Sequence, residues 1–351
     1  MRKLKHVFLA TFAMWALPAV GQHVNVDQML VTGVENTNTY FEHYMRPAAK
    51  LFGFAPGNAW VNSAKAKKPL EWKIRVIGNV TFMPSKLMTF DFVESQYEAL
   101  TANNLPNNEA PTIFGRSQWE GTTPTYSYST TFPNAGNPVE DRGTVNVPTG
   151  FDPKRAFGSR IMPIGLIQAE VGLLQSLEVK VRFSPWIGED EWRTYTWGVG
   201  FLHNFTEIEP LRGKAPLDVS AFLGFSYTRN EWALEESPLT ANGPRHYAGT
   251  KSSNVTFQIV GSKTWNILTL YLLADYSFFF ADAELYGEYT HEINPNFILT
   301  YRNPAKADYR GGSFGFAGGA TLDFGYVSID AGYTLSRYSN FNVGIGVGLP
   351  R

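Results

Sequence analysis

Residues 217–228 read LDVSAFLGFSYT. Leu217, Val219, Ala221, Leu223, Phe225 and Tyr227 fall on one side of an extended chain, and Asp218, Ser220, Phe222, Gly224, Ser226 and Thr228 on the other. Successive side chains of a strand point to opposite faces, so the stretch has one oily face and one mostly small or polar face. It is long for a strand of a soluble domain and suits a tilted strand crossing a bilayer, which takes roughly 9–11 residues. Taken alone it fits a soluble sandwich equally well, so the remaining segments decide.

The same alternation recurs along the chain. Trp72, Ile74, Val76, Val80 and Phe82 alternate with Lys73, Arg75, Asn79 and Thr81, and Leu177, Val179, Val181 and Phe183 with Glu178, Lys180 and Arg182. Phe341, Val343, Ile345, Val347 and Leu349 face away from Asn342, Gly344, Gly346 and Gly348. No apolar run approaches the roughly 20 residues of a membrane helix. If the chain enters a membrane it must do so as a closed barrel, which satisfies its backbone groups internally. Cations on the second face are cheap beside a wet lumen and costly in a dry core. The 17 Tyr, nine Trp and 26 Phe suit the aromatic girdles of such a barrel. The expected fold is all-β: a transmembrane antiparallel β-barrel of about 14 strands, with 12 as the alternative, and a small N-terminal helical plug.

The two ends of the chain read differently. Arg2, Lys3 and Lys5 precede an apolar run that is too short to span a membrane, and Ala19-Val20-Gly21 supplies small residues before Gln22. Residues 1–21 therefore read as a secretory signal peptide, which predicts export to the cell outer membrane of a Gram-negative bacterium. The formal net charge is −1, and −4 without the three basic residues of the leader, so no nucleic-acid partner is expected. The absence of cysteine excludes disulfides and thiolate metal sites. Residues 22–68 read as a plug or cap: Asn36-Thr37-Asn38-Thr39 is an N-cap cluster, residues 40–52 have helical spacing, and Pro47 predicts a kink. Residues 69–351 are the expected barrel, with long loops near 94–157 and 230–250.

Signals for chemistry are weak. The six His show no paired metal-ligand spacing, and no nucleophile elbow or phosphate loop is present. Glu189-Asp190-Glu191 and Glu235-Glu236 read as solvated turns. A non-enzyme without cofactor or metal is expected. The best candidates for ligand contact are the plug aromatics Tyr40, Phe41, Tyr44, Phe52, Phe54 and Trp60, because ligand sites are mostly apolar and aromatic. Arg75 and Arg182 would steer a carboxylate head. The competing reading is that the aromatics pack the plug against the wall and the cations pair with lumen acids such as Glu178.

The run Ala156-Phe157-Gly158-Ser159 to Met162-Pro163-Ile164-Gly165-Leu166-Ile167-Gln168, together with Trp197-Gly198-Val199-Gly200-Phe201-Leu202-His203, resembles an uncharacterised family of outer-membrane barrels from Bacteroidota-type bacteria. The plug-like segment running into Pro69-Leu70 resembles it too, and that family is similar to the FadL-like barrels. The resemblance implies a 14-strand barrel with an N-terminal plug and passive uptake of a hydrophobic compound such as a fatty acid. One departure is that Ala55-Pro56-Gly57-Asn58 is only loosely like the Asn-Pro-Ala plug motif of those transporters. The alternatives are a structural or protein-docking barrel and a general porin. Expected partners are outer-membrane lipid, an apolar small molecule and a protein at the extracellular loops.

Overall fold

The computed structural model describes residues 24–349, apart from 117, 133–137, 189–190, 209, 211, 213, 235–245 and 296. The leader, the cut before Gln22, Glu189-Asp190 and Glu235-Glu236 lie outside the described residues.

Ten strands close into one barrel: β1 (Trp72–Phe82), β2 (Ile161–Leu174), β3 (Leu177–Gly188), β4 (Trp192–Asn204), β5 (Asp218–Ala233), β6 (Tyr247–Trp265), β7 (Leu268–Tyr286), β8 (Ala305–Asp323), β9 (Val327–Leu335) and β10 (Asn340–Gly348). Each pairs antiparallel with its neighbours in sequence, and β1 completes the ring by pairing with β10. The wall thus has ten strands rather than 14 or 12. The surplus segments pair outside it, as a hairpin of residues 288–294 and 297–302 and two small sheets within residues 89–146. Alternation reports that a strand has two unlike faces; it does not report whether the strand belongs to the ring.

The connections 175–176, 205–217, 266–267 and 324–326 gather at one end, here the turn end. At the other, the loop end, the chain leaves β1, β3, β5, β7 and β9 and returns at β2, β4, β6, β8 and β10. The second expected loop is shorter than 230–250, because β5 and β6 run on to Ala233 and Tyr247.

Helix α1 (Val34–Phe54) sits in the mouth at the loop end. It starts two residues before the expected cap cluster. Gly33, at φ 94°, takes the cap position that a side chain would resist. Thr37 instead donates to the Gly33 carbonyl at 2.7 Å, and Asn36 to those of Thr32 and Glu98 at 2.9 Å each. Pro47 lies inside a continuous helix, since the buried face, which includes Tyr40, Tyr44, Ala48 and Leu51, holds it against its surroundings. Below α1, residues 55–71 run through the lumen to the turn end and into β1.

The wall is uneven in height. Strands β5–β8 have 16–19 residues, whereas β9, β10 and β1 have 9–11. Residues 305–315 of β8 therefore pair with β7 alone, because β9 reaches only as far as Phe316. Helix α1 covers that edge: the Lys306 N–H donates to Asn38 Oδ1 at 3.1 Å, and the Tyr309 hydroxyl donates to the Glu42 carbonyl at 2.6 Å.

On β5 the residues read as oily in sequence do face outward: Leu223 is 52 % exposed while Phe222 is fully buried. Leu223 stands opposite Phe201 and Phe257, both exposed, in the middle of an apolar outer belt. Leu223→Arg is therefore expected to destabilise the barrel in a bilayer by about 2–4 kcal/mol. Unfolding titrations in lipid vesicles check this; no loss would show that this face does not meet lipid.

Candidate functional site

Two regions bring the predicted site residues together. The first is the mouth, where α1 meets the long loop. Tyr40 packs edge-on to Phe90 and Tyr126, with ring centroids 5.2 and 5.9 Å away, and stacks with Tyr44 at 6.1 Å. Phe41 is fully buried in the same core. Phe52 packs against Phe114, Trp192 and Trp232 at 5.8–6.4 Å, and Phe54 packs against Phe279 and Tyr338. Burial pushes the Tyr97 and Tyr126 phenols up, so this core stays neutral at any ordinary pH.

The second region is a clamp around the threaded chain. Arg182 stacks its guanidinium on the Trp60 ring, 3.4 Å from the centroid. It also donates to the Pro56 and Asn58 carbonyls at 2.8 and 3.0 Å and to Gln168 Oε1 at 3.1 Å. Arg75 lies two strands further round the ring, on β1. It pairs with Asp330 at 2.5 Å and with Glu170 at 3.2 Å. Lys67 of the thread reaches Glu170 at 2.5 Å and Glu178 at 3.3 Å, and Lys180 joins the same two acids at 3.3 and 2.6 Å. All of these side chains are buried. Four cations, Lys67, Arg75, Lys180 and Arg182, face three carboxylates, Glu170, Glu178 and Asp330, which leaves one positive charge; the Trp60 ring and the two carbonyls are what Arg182 meets instead.

The glycines of β10 make room for this network. A Cβ at Gly344 would stand 2.5 Å from the Asp330 carboxylate, and one at Gly346 would stand 2.7 Å from the Lys73 side chain. The inward face of that strand is bare because long charged side chains from its neighbours lie over it.

Polar groups of the wall hold the rest of the thread. Eleven hydrogen bonds among the described residues run between wall side chains and the backbone of residues 53–67. Asn254 donates to the Gly53 carbonyl at 2.8 Å, Thr321 to that of Asn62 at 3.1 Å, and Asn204 and Ser220 both to that of Ala64. The void left in this part of the lumen, beside Asn58, Tyr271 and Asp275, measures about 10 Å³, roughly one water.

The structure thus joins Trp60 to Arg182 and brings Arg75 into the same network, while Tyr40, Phe41, Tyr44, Phe52 and Phe54 line the mouth core. Sequence reasoning missed Lys67, Glu170 and Asp330 as clamp members. Glu170 and Asp330 occupy the same alternating register as the inward cations, which was the available signal. Lys67 precedes the first strand and carried none.

Residues 1–349 match the model of a family of unknown function, DUF6588. The chain belongs to this family. No curated protein matches it. Among solved structures, the chain is similar to the translocator domain of the autotransporter NalP from Neisseria meningitidis, at 8% identity and TM-score 0.31, covering 91% of this chain and 99% of that one. It is also similar to the outer membrane protease OmpT from Escherichia coli, at 10% identity and TM-score 0.34, covering 82% and 99%. Likeness at this level says nothing about activity.

Proposed function

We propose that this member of DUF6588 is an outer-membrane β-barrel sealed by its own N-terminal segment, working as a structural or protein-docking barrel through its loop-end surface and not as an open pore or an enzyme. One observation carries this reading: the polar inner face of the wall is engaged with the thread at residues 53–67. Eleven such bonds at about 0.5–1.5 kcal/mol net each sum to about 5–15 kcal/mol before the ion pairs are counted. Displacing the thread would then populate fewer than about one molecule in a thousand, since each 1.4 kcal/mol is tenfold. Short turns face the periplasm and long loops the exterior in barrels of this kind, so the docking surface would be extracellular.

Uptake of an apolar compound such as a fatty acid is the second reading. It is favoured by a groove of about 560 Å³ on the outer wall, lined by Leu272, Phe316 and Tyr333, whose floor residues Leu273 and Ala317 also border the small lumen void. An apolar molecule entering there would not need to move the whole thread. The candidate contacts from Tyr40 to Trp60 would then serve it only after the mouth core loosens.

The full chain in a planar bilayer is expected to be electrically silent, and a chain lacking residues 24–68 to conduct. Steady conductance by the full chain would overturn the sealed reading. Vesicle uptake of a labelled fatty acid by the full chain, above a background set by empty vesicles, would favour the second reading over the first. Should the shortened chain not fold, Lys67→Ala/Arg182→Ala replaces it, with intermittent conductance as the expected result.

A further inference from the structure

Above the short part of the wall, α1 turns one face outward. His43, Arg46 and Lys50 follow at helical spacing on that face and line a cavity of about 230 Å³. Lys86 of the long loop and Arg337 and Tyr338 of the β9–β10 turn complete it. Four basic side chains therefore converge, and among the described residues no carboxylate lines the space. Two acids bond to its lining: Glu42 pairs with Arg46 at 2.6 Å, and Glu109 accepts from Thr89 at 3.1 Å, so Lys50, Lys86 and Arg337 are the cations left to meet an anion. Partial burial, with Arg337 and Arg46 close by, pulls the Lys50 ammonium below its ordinary value. Such convergence favours an anion in the space. The cavity is smaller than the roughly 300–1,000 Å³ of sites for drug-sized molecules, and it suits a headgroup.

Its position says more. Arg337 stands two residues beyond Leu335, which is exposed on the outer belt. Leu335 and Tyr333 line the apolar groove on the outer wall, with Leu272, Phe316 and Ile259. A basic cavity and an apolar groove thus meet at the upper end of β9. Cationic pockets at the edge of a bilayer recognise lipid phosphates, and Arg binds phosphate in bidentate fashion.

We propose that the cavity holds the phosphoryl group and the groove an acyl chain of one phosphorylated lipid from the surrounding leaflet. The site rests on the membrane placement proposed above. A chain that does not incorporate into vesicles overturns that placement, whereas one that incorporates and ignores the lipid overturns only the site.

The test uses the full chain in a non-ionic detergent, with lipid A, dephosphorylated lipid A and inorganic phosphate as probes. Lipids are read by native mass spectrometry and phosphate by calorimetry. Lipid A is expected to bind, and removal of its phosphates to weaken binding by about tenfold or more. Lys50→Ala/Arg337→Ala is expected to lose a similar factor for lipid A and phosphate alike. Phe316→Asn/Leu335→Asn is expected to weaken lipid A alone. Heat-dependent gel migration verifies that each variant is folded, and Lys86→Ala, in the loop outside the wall, stands in for a double variant that is not. Equal binding of the two lipids, or lipid A binding unmoved by the cationic substitutions, overturns the proposal. Phosphate bound as tightly as lipid A, with no effect of the groove variant, identifies a site for free anions and overturns the lipid assignment.

Discussion

Arg75→Met is expected to lower the stability of the barrel by about 3–5 kcal/mol, the loss typical when one partner of a buried ion pair is removed. The reason lies in what remains. Asp330 takes both its Arg75 hydrogen bonds, at 2.5 and 3.2 Å, from the guanidinium, and it is packed against Gly344. Glu170 keeps Lys67 and Lys180, so the unpaired charge falls on Asp330. Replacing both partners, as Arg75→Met/Asp330→Leu, removes the stranded charge and is expected to recover most of the loss. Denaturant unfolding of the four chains in vesicles measures the coupling. If the double variant is no more stable than Arg75→Met alone, the pair is not a unit, and the network is held by other contacts.

Phe52→Ala should be nearly as damaging, at about 3–5 kcal/mol, but with a different signature. Phe52 is the point where α1, the long loop and the tops of β4 and β5 meet, through Phe114, Trp192 and Trp232. Truncation leaves a cavity lined by large rings that cannot collapse onto it. Residues 83–160 should then become sensitive to protease, because their anchor to the helix is lost. Ion conductance should stay at background, since the clamp at Lys67 and Arg182 lies further along the thread. Conductance appearing in Phe52→Ala, with the long loop still protected, would show that the seal is made at the mouth and not by the thread.

These two substitutions separate what the two regions do. The mouth core is apolar, aromatic and built by packing. The clamp is polar and charged, and its ion pairs stabilise little over apolar residues of the same shape although removing one partner is costly; their effect is to make one path of the chain through the lumen far better than any other. A gate would be expected to combine few wall contacts with a cheap alternative position. The thread has many of the former, and its displacement takes Lys67 from Glu170 and Glu178 and takes the Trp60 ring and two carbonyls from the buried Arg182.

Much of the wall was legible in the residue order. The period of two is a geometric property of an extended chain, so the alternation around Leu223, Val181 and Val343 identified the outward face, and Lys73, Arg75, Lys180 and Arg182 could be assigned to the inner one. The helix in the plug was also legible, because Tyr40, Tyr44 and Ala48, with Phe41 and Met45 beside them, recur at helical spacing, and all five are buried in the structure. Its start was not: Gly33 caps the helix through backbone freedom, while the polar cluster that imitates a cap lies inside it and bonds backward to Thr32 and Gly33.

The sequence by itself determined that this chain builds strands with one apolar and one polar face, and that an aromatic helical segment precedes them. Only the tertiary structure decided how many strands close the ring, and that the preceding segment runs through it from the loop end to the turn end. The physical reason is range. Alternation and helical spacing are set by neighbours along the chain, whereas ring closure and the meeting of Lys67 with Glu170 and Glu178, more than 100 residues away, are set by which distant groups must satisfy one another once water is excluded.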